Sequence, residues 1–248
     1  MAKGISFCLI SNGKQIDKLK LSILSIHNTM KDSGVNYDVT IAGSAKVTDN
    51  HYPHTNCVDA TYEAENGYVA KMRNIAAANS SYATIVWMDD DMILSKYFLS
   101  SLVSYSKTNA WDWLGIKLLQ PDGGRCWDRA TINPHTMIDY DATEYKGRLY
   151  QTSGLVIMRR SLWNEHKWDN NIDWYGKKSG GLPEDVEYSF RLQDNGYTLM
   201  FDKNNTVWHY DEGYKQVGMA CLRKKDFGIE EECIYTEEFK ELLSELNV

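Results

Sequence analysis

The chain has 248 residues, of which 43% are hydrophobic and 25% charged, and its formal net charge is −7. This length fits one large globular domain, or at most two small ones. The acidic balance argues against a general nucleic-acid-binding protein, because there is no surplus of basic side chains to neutralise phosphates. The compact basic clusters are only Lys177-Lys178 and Arg223-Lys224-Lys225.

Two further features predict a cytoplasmic protein without a transmembrane segment. No stretch approaches the roughly 20 apolar residues that a membrane-spanning helix needs, and the first apolar run is too short for a signal peptide. The five cysteines are odd in number, widely spaced and without a Cys-x-x-Cys pair. This pattern favours reduced thiols over a disulfide framework or a zinc site.

The first half of the chain alternates strand-like and helix-like segments. Short apolar runs at 5–10, 37–42, 56–60 and 82–88 predict strands. Helices are predicted where apolar residues recur at helical spacing from Ile16 to Met30, over 68–78, and from Ser95 onward. Strands that alternate with helices predict an α/β fold with a mostly parallel, Rossmann-like sheet flanked by helices.

The second half is less regular. Segments 112–119, 149–158, 198–201 and 206–208 predict strands, and helices are predicted from Pro183 to Asn195 and over 237–246. The glycine-rich segment 176–181, with its two lysines, predicts a mobile lid. Without an internal repeat or linker, we expect one domain over 1–248. It would comprise a nucleotide-binding half (about 1–110), an acceptor and catalytic half (about 111–225) and a C-terminal helix (226–248).

Three consecutive aspartates, Asp89, Asp90 and Asp91, follow the apolar strand at 82–88. Adjacent carboxylates at a buried strand end cost free energy unless a cation neutralises them. A divalent cation, Mn²⁺ or Mg²⁺, shared with a phosphate-bearing ligand would do so. Ligands of such sheets bind at the carboxyl ends of the strands, where this triplet lies. A solvated acidic turn is the alternative explanation.

Several groups of residues follow one another in an order that resembles one known family. The groups are Gly67 with Lys71, Arg73 and Asn74; the three aspartates; Glu184-Asp185 with Arg191; and His209 after a strand. Together they resemble the family-2-like glycosyltransferases of the GT-A fold, in the nucleotide-diphospho-sugar transferase superfamily. Segment 184–197 is similar to that family's Glu-Asp segment, and 151–160 to the strand before its acceptor site. The resemblance covers most of residues 5–210 and implies a single GT-A domain.

The resemblance also implies roles for individual residues. The metal would be held by Asp91, Asp89 and His209, although His209 is also explained as a strand-end imidazole bonded to backbone. The catalytic base would be Asp185, with Glu184 as the rival. Helix capping explains one acidic residue at that position equally well.

The nucleotide sugar would contact a larger set of residues. These are Asp59, Lys71, Arg73, Asn74, Asp89, Asp90, Arg191 and Lys215. A solvated helix face explains Lys71 as well as ligand binding does. The family's usual Asp-Gly-Ser after the second strand is replaced here by Ala42-Gly43-Ser44, which leaves the nucleotide base open.

The function that the resemblance implies is metal-dependent transfer of a sugar from a nucleotide-diphosphate donor, a UDP-sugar, to a hydroxyl of a glycan or other acceptor. One candidate base without an evident nucleophile favours inversion. Trp127 and Trp174 lie in loop-like segments and are candidates for stacking on sugars, or simply fillers of the core rim. The alternatives are a nucleotidyl or phosphoryl transferase, against which the lack of a glycine-rich basic loop counts, and a catalytically silent sugar-binding domain.

Overall fold

The computed structural model describes residues 2–49, 51–152, 154–172 and 181–246. Of the predicted lid, only Gly181 is among them; Lys177 and Lys178 lie outside the described residues, as does Trp174.

The described chain alternates strands and helices in its first half. The strands are β1 (Ala2–Ser11), β2 (Tyr37–Gly43), β3 (Asn56–Asp59), β4 (Tyr82–Asp89), β5 (Met92–Leu94), β6 (Trp113–Leu119), β7 (Arg129–Ile132), β8 (Thr136–Met137), β9 (Arg148–Gln151), β10 (Leu155–Arg159), β11 (Leu199–His209), β12 (Tyr214–Val217) and β13 (Ala220–Arg223). The helices are α1 (Ile16–Met30), α2 (Ala45–Thr48), α3 (Thr61–Asn66), α4 (Val69–Ala78), α5 (Phe98–Thr108), α6 (Arg160–Glu165), α7 (Glu184–Asp194) and α8 (Glu237–Glu245), with a short 3-10 helix at Lys224–Asp226.

Eight strands form the central sheet, in the order β3-β2-β1-β4-β10-β6-β11-β5. Strands β1 to β4 are parallel, and so are β6 and β11. Strand β10 is antiparallel to both its neighbours, and β5 is antiparallel to β11. The predicted α/β fold with a mostly parallel sheet is confirmed.

Both faces of the sheet are covered, because successive side chains of a strand point to opposite sides. In β4, Val86 and Met88 join the apolar cluster that includes residues of α1 and α5. Ile85 and Trp87 join the cluster formed with α4, α6 and α7. These near-continuous apolar strands are what a doubly covered sheet requires.

Three predicted boundaries were wrong. The single strand expected at 149–158 is two strands, because β9 pairs with β7 in a small second sheet whereas β10 pairs with β4 and β6. The two short strands expected at 198–201 and 206–208 are one strand, β11, with a register shift between Asp202 and Thr206. The helix expected from Ser95 begins at Phe98, and Met92–Leu94 before it forms a strand.

Two smaller elements flank the central sheet. Strands β8, β7 and β9 form the second sheet, and β12 with β13 forms a hairpin. The second sheet packs against α7 through Ala130, Tyr150 and Val186. Among the residues that the structure describes, no helix is both long and apolar enough to cross a membrane.

Candidate active site

The strand order brings Asp91 next to His209, although the two are far apart in sequence. After β4 in the middle of the sheet, the chain passes through Asp90 and Asp91 and enters β5 at the edge. Strand β5 pairs with β11, so Met92 lies opposite His209. The backbone N–H of Tyr210 then donates to the carbonyl of Asp91 at 2.8 Å, which fixes the two chain segments together.

An open cleft of about 850 Å³ lies at this edge of the sheet. Most of the acidic residues predicted from the sequence line it. The lining polar and aromatic side chains include Ser11, Asn12, Lys14, Asp89, Asp90, Asp91, Trp127, His135, Tyr150, Glu184, Asp185, His209, Asp211, Tyr214 and Arg223. Gly154 also lines the cleft, and a Cβ at this position would require the end of the Met92 side chain to move.

Asp91, His209 and Asp211 form a group that fits a metal ion. One ligand atom of each lies within 4.8 Å of the others, and the Nε2 of His209 is 3.4 Å from the Oδ2 of Asp91. Two carboxylates and an imidazole suit divalent cations such as Mn²⁺. Sequence analysis missed Asp211; its signal is its position two residues after His209, just beyond β11.

Electrostatics link Asp91 and His209 as a pair. Burial alone would raise the pKa of Asp91, but the nearby His209 and Lys18 hold that pKa below its ordinary value. Burial alone would lower the pKa of His209, yet the carboxylate of Asp91 raises it well above its ordinary value. The pair therefore presents a preorganised charge, with Asp91 ionised, at the cleft surface.

Asp89 forms an ion pair with a buried arginine and is not part of the group Asp91, His209 and Asp211. The fully buried guanidinium of Arg73 donates from Nη2 to Asp89 Oδ1 at 2.9 Å. Burial raises the pKa of Asp89 to about 6, although Arg73 opposes this. The metal role predicted for Asp89 stays a prediction; the group of described residues that could hold a metal ion contains Asp211 and not Asp89.

Asp90 anchors the turn between β4 and β5. Its Oδ2 accepts a hydrogen bond of 2.5 Å from the Ser11 hydroxyl at the end of β1. Its backbone carbonyl accepts from the Ser22 hydroxyl of α1 at 3.1 Å. Burial raises the pKa of this carboxyl to about 7. Asp90 lines the cleft, and its predicted contact with the nucleotide sugar stays a prediction.

Glu184 and Asp185 lie in the first turn of α7. Glu184 is buried, with 4% of its surface exposed, and Asp185 is half-buried. Asp185 Oδ1 accepts from the backbone N–H of Val186 at 2.8 Å. Backbone N–H groups at a helix start stabilise carboxylates, so helix capping and a catalytic role are compatible for Asp185.

An aromatic wall, formed by Trp127, His135 and Tyr150, lines the cleft on the side of α7. The exposed ring of His135 stacks on Trp127 with centroids 4.2 Å apart and planes 8° apart. His135 Nε2 and the Tyr150 hydroxyl share a hydrogen bond of 2.6 Å. Burial lowers the pKa of His135 and, with the nearby charge of Asp185, raises that of Tyr150. The wall is therefore uncharged at neutral pH.

Besides the buried Arg73, three predicted nucleotide-sugar contacts are cationic residues that do not line the cleft. Lys71 pairs with Glu63 at 2.7 Å. Arg191 pairs with Glu187 at 2.7 Å and also donates to the carbonyl of Lys167. Lys215 pairs with Glu231. Their roles in ligand binding stay predictions that this geometry does not favour.

The two predicted polar contacts Asp59 and Asn74 also lie away from the cleft. Asp59 is exposed at the end of the edge strand β3, where it accepts from the backbone and hydroxyl of Thr61. Asn74 is buried; it donates to the carbonyl of Trp168 at 2.7 Å and accepts from the indole of Trp163. Asn74 thus fastens α4 to the segment after α6.

Cations that the resemblance did not indicate lie at the cleft instead. Arg223 and Lys14 line it, and Lys18 is close enough to Asp91 to lower its pKa. Arg223 Nη2 donates to the Tyr214 hydroxyl at 3.1 Å, which ties the β12–β13 hairpin together. The sequence signal for Arg223 was its place in one of the two basic clusters.

Comparison with known proteins identifies the fold. No family model matches the sequence, and no curated protein sequence matches it. The fold is similar to S. aureus TarS 1-349 (TM-score 0.58, 11% identity, 84% of this chain and 60% of that chain). It is also similar to the same protein in complex with UDP-GlcNAc (TM-score 0.58, 12% identity, 98% of this chain and 65% of that chain). A third similar structure is the catalytic domain of Drosophila beta1,4galactosyltransferase 7 with xylobiose (TM-score 0.50, 15% identity, 96% of this chain and 83% of that chain). This chain therefore spans less than two thirds of the length of the TarS chains.

TarS and beta1,4galactosyltransferase 7 are GT-A glycosyltransferases. At these identities the similarity establishes the fold alone: the described chain has the GT-A fold, as the sequence predicted.

Proposed function

We propose that this protein is a metal-dependent glycosyltransferase that moves a sugar from a nucleotide-diphosphate donor to an acceptor hydroxyl, with inversion at the anomeric carbon. One observation carries the proposal: a metal-binding group and a helix-start carboxylate pair line the same cleft at the carboxyl edge of a GT-A sheet. Ligands of such sheets bind at this edge. The nucleotide half (about 1–110) and the acceptor half (about 111–225) would both contribute.

The metal would be held by Asp91, His209 and Asp211. When bound, a divalent cation neutralises the charge that develops on the departing diphosphate. The choice between Mn²⁺ and Mg²⁺ is open, and the imidazole in the donor set favours Mn²⁺ as the first ion to test.

Cationic side chains of this chain support diphosphate binding at the same end of the cleft. Arg223 and Lys14 line it, and Lys18 lies near Asp91. Guanidinium groups bind phosphate oxygens with paired, charge-assisted hydrogen bonds. Arg223 therefore takes the role that the sequence gave to Lys215.

Asp185 would remove the proton from the acceptor hydroxyl. It lines the cleft beside the uncharged aromatic wall of Trp127, His135 and Tyr150, whose rings and hydroxyl suit an acceptor that carries sugar rings. A single general base next to the acceptor is what a direct displacement needs. Glu184, which is more deeply buried, would orient the helix start.

The donor would be a UDP-sugar. The S. aureus neighbour was solved in complex with UDP-GlcNAc, which makes UDP the first nucleotide to test. Calorimetry of UDP with and without Mn²⁺, followed by slow hydrolysis of a panel of UDP-sugars, tests the proposal without knowledge of the acceptor. Equal UDP affinity in both conditions would rule out metal dependence, and no binding of any nucleotide sugar would rule out the transferase.

A further inference from the structure

We propose that Cys126 is a positioning residue for His209: its sulfur accepts the Nδ1–H of His209 and so directs Nε2 toward the metal site. The inference rests on the proposed function, because it assumes that Asp91, His209 and Asp211 bind a metal.

The two ring nitrogens of His209 lie in different surroundings. Nδ1 is 3.3 Å from Cys126 Sγ, whereas Nε2 is 3.4 Å from Asp91 Oδ2. A neutral imidazole has one N–H and one free lone pair, and a metal takes the nitrogen with the lone pair. With Nε2 among the metal-binding oxygens, the hydrogen belongs on Nδ1, and Cys126 sulfur is positioned to accept it.

A backbone hydrogen bond and burial hold Cys126 in place. Cys126 follows the turn after β6, and its N–H donates to the carbonyl of Leu118 at 2.8 Å. The residue is buried, with 5% of its surface exposed. A sulfur held in this way restricts the rotation of the His209 ring, which is the usual contribution of a hydrogen-bond partner behind a metal ligand.

A second thiol supports the sulfur. Cys221 of β13 donates from Sγ to Cys126 Sγ at 3.6 Å, and Gln120 Nε2 donates to Cys221 Sγ at 2.9 Å. Gln120 and Cys221 therefore donate in turn toward the Cys126 sulfur, and His209 lies on the other side of that sulfur. Because the Cys126 sulfur has two lone pairs, it can accept from Cys221 on one side and from the Nδ1–H of His209 on the other.

The test compares Cys126→Ser with Cys126→Ala, a pair that differs by one hydroxyl oxygen. Both remove the sulfur and leave nearly the same space, but only serine can accept from Nδ1. Mn²⁺ affinity is measured by calorimetry without nucleotide. A reductant keeps Cys126 and Cys221 as thiols, since their sulfurs lie only 3.6 Å apart. Loss of a hydrogen-bond partner of a metal-bound histidine lowers metal affinity about 10–100-fold, and we expect this for Cys126→Ala. Cys126→Ser should retain most of the affinity.

Two further measurements separate positioning from packing. In the metal-free protein at alkaline pH, where the imidazole is neutral, the nitrogen chemical shifts of His209 should report the Nδ1–H tautomer in the parent and in Cys126→Ser, and a mixture of tautomers in Cys126→Ala. Cys57→Ser, at a half-buried cysteine on β3, is the control and should leave both readouts unchanged.

The outcomes are distinct. Equal Mn²⁺ affinity in the parent and Cys126→Ala would overturn the inference, and so would equal losses in the alanine and serine variants. If the parent binds no Mn²⁺ but binds UDP, the metal-dependent part of the proposed function fails, and the inference fails with it.

Discussion

Arg73 Nη2 donates to Asp89 Oδ1 at 2.9 Å from a fully buried guanidinium, so one carboxylate of the aspartate triplet is bound to a charge inside the protein. The ring of Trp168 lies 5.5 Å from the same guanidinium. Within the described residues, Arg73 Nε and Nη1 have no hydrogen-bond partner. Asp89 is therefore the main group that compensates the buried positive charge.

We expect Arg73→Met to destabilise the protein, because it leaves Asp89 without its partner. Breaking a buried ion pair from one side costs about 3–5 kcal/mol, and the 24% exposure of the Asp89 side chain favours the lower end.

The double variant Arg73→Met/Asp89→Leu should recover much of the lost stability, since no unpaired charge remains. Urea unfolding of the single and double variants measures this. Lys71→Met, which breaks a pair whose lysine is 40% exposed, is the control and should change stability much less. A double variant no more stable than Arg73→Met would contradict the interpretation.

The metal group predicts a difference between neighbouring aspartates. Asp211→Asn and Asp91→Asn should abolish the Mn²⁺-dependent part of UDP binding, because each removes a ligand charge. Asp89→Asn should retain most of it, since Asp89 is engaged by Arg73 instead. Calorimetry of Mn²⁺ and UDP with all three variants is the measurement. If Asp89→Asn is as damaging as Asp91→Asn while Asp211→Asn binds normally, the metal group has been assigned to the wrong residues.

The chain topology explains which parts of the site the sequence could predict. The aspartate triplet and Glu184-Asp185 are local patterns, and they line the cleft because the carboxyl ends of parallel strands share one edge. Arg73 and Asn74 were predicted to contact the nucleotide sugar, but their position in sequence does not reveal that both side chains are buried inside the protein. Asp211 and Arg223 reach the cleft only because β11 pairs with β5 and a hairpin follows. That pairing is long-range and leaves no local pattern in the sequence.

The two candidate cations on the hairpin give a further prediction. Arg223→Gln should weaken UDP binding about tenfold, because a charge-assisted hydrogen bond contributes roughly 1.5 kcal/mol. Lys215→Gln should have little effect, since Lys215 pairs with Glu231 and does not line the cleft. Titration of UDP in the presence of Mn²⁺ compares the two variants. A larger loss in Lys215→Gln would restore the assignment made from the sequence.

The aromatic wall should affect the acceptor and not the donor. His135→Ala removes the exposed ring that covers Trp127, and Tyr150→Phe removes only the hydroxyl bonded to His135. Both should raise the KM for a saccharide acceptor and leave slow donor hydrolysis unchanged, because neither touches the metal group. Once an acceptor is found, transfer and hydrolysis are measured side by side. Equal losses in both reactions would mean that the wall supports the whole cleft.

The last prediction tests whether Asp185 or Glu184 is the general base, and whether the residue acts in catalysis or only caps helix α7. Asp185→Asn retains an oxygen that can accept from the N–H of Val186, as Asp185 Oδ1 does at 2.8 Å, so the melting temperature should change little. UDP and Mn²⁺ should still bind, because the metal group is intact. Transfer should fall about 10²–10⁴-fold, which is the usual contribution of a general base.

Glu184→Gln is the matched variant, since it removes the neighbouring charge with the same change of atoms. Glu184 is 4% exposed, so this variant should lower stability more and the transfer rate less than Asp185→Asn. Transfer rate and melting temperature are measured for both. If Asp185→Asn transfers sugar at the parent rate and Glu184→Gln is inactive but folded, Glu184 is the base. If both variants remain active, the first turn of α7 serves capping alone, and the proton acceptor must lie elsewhere in the cleft.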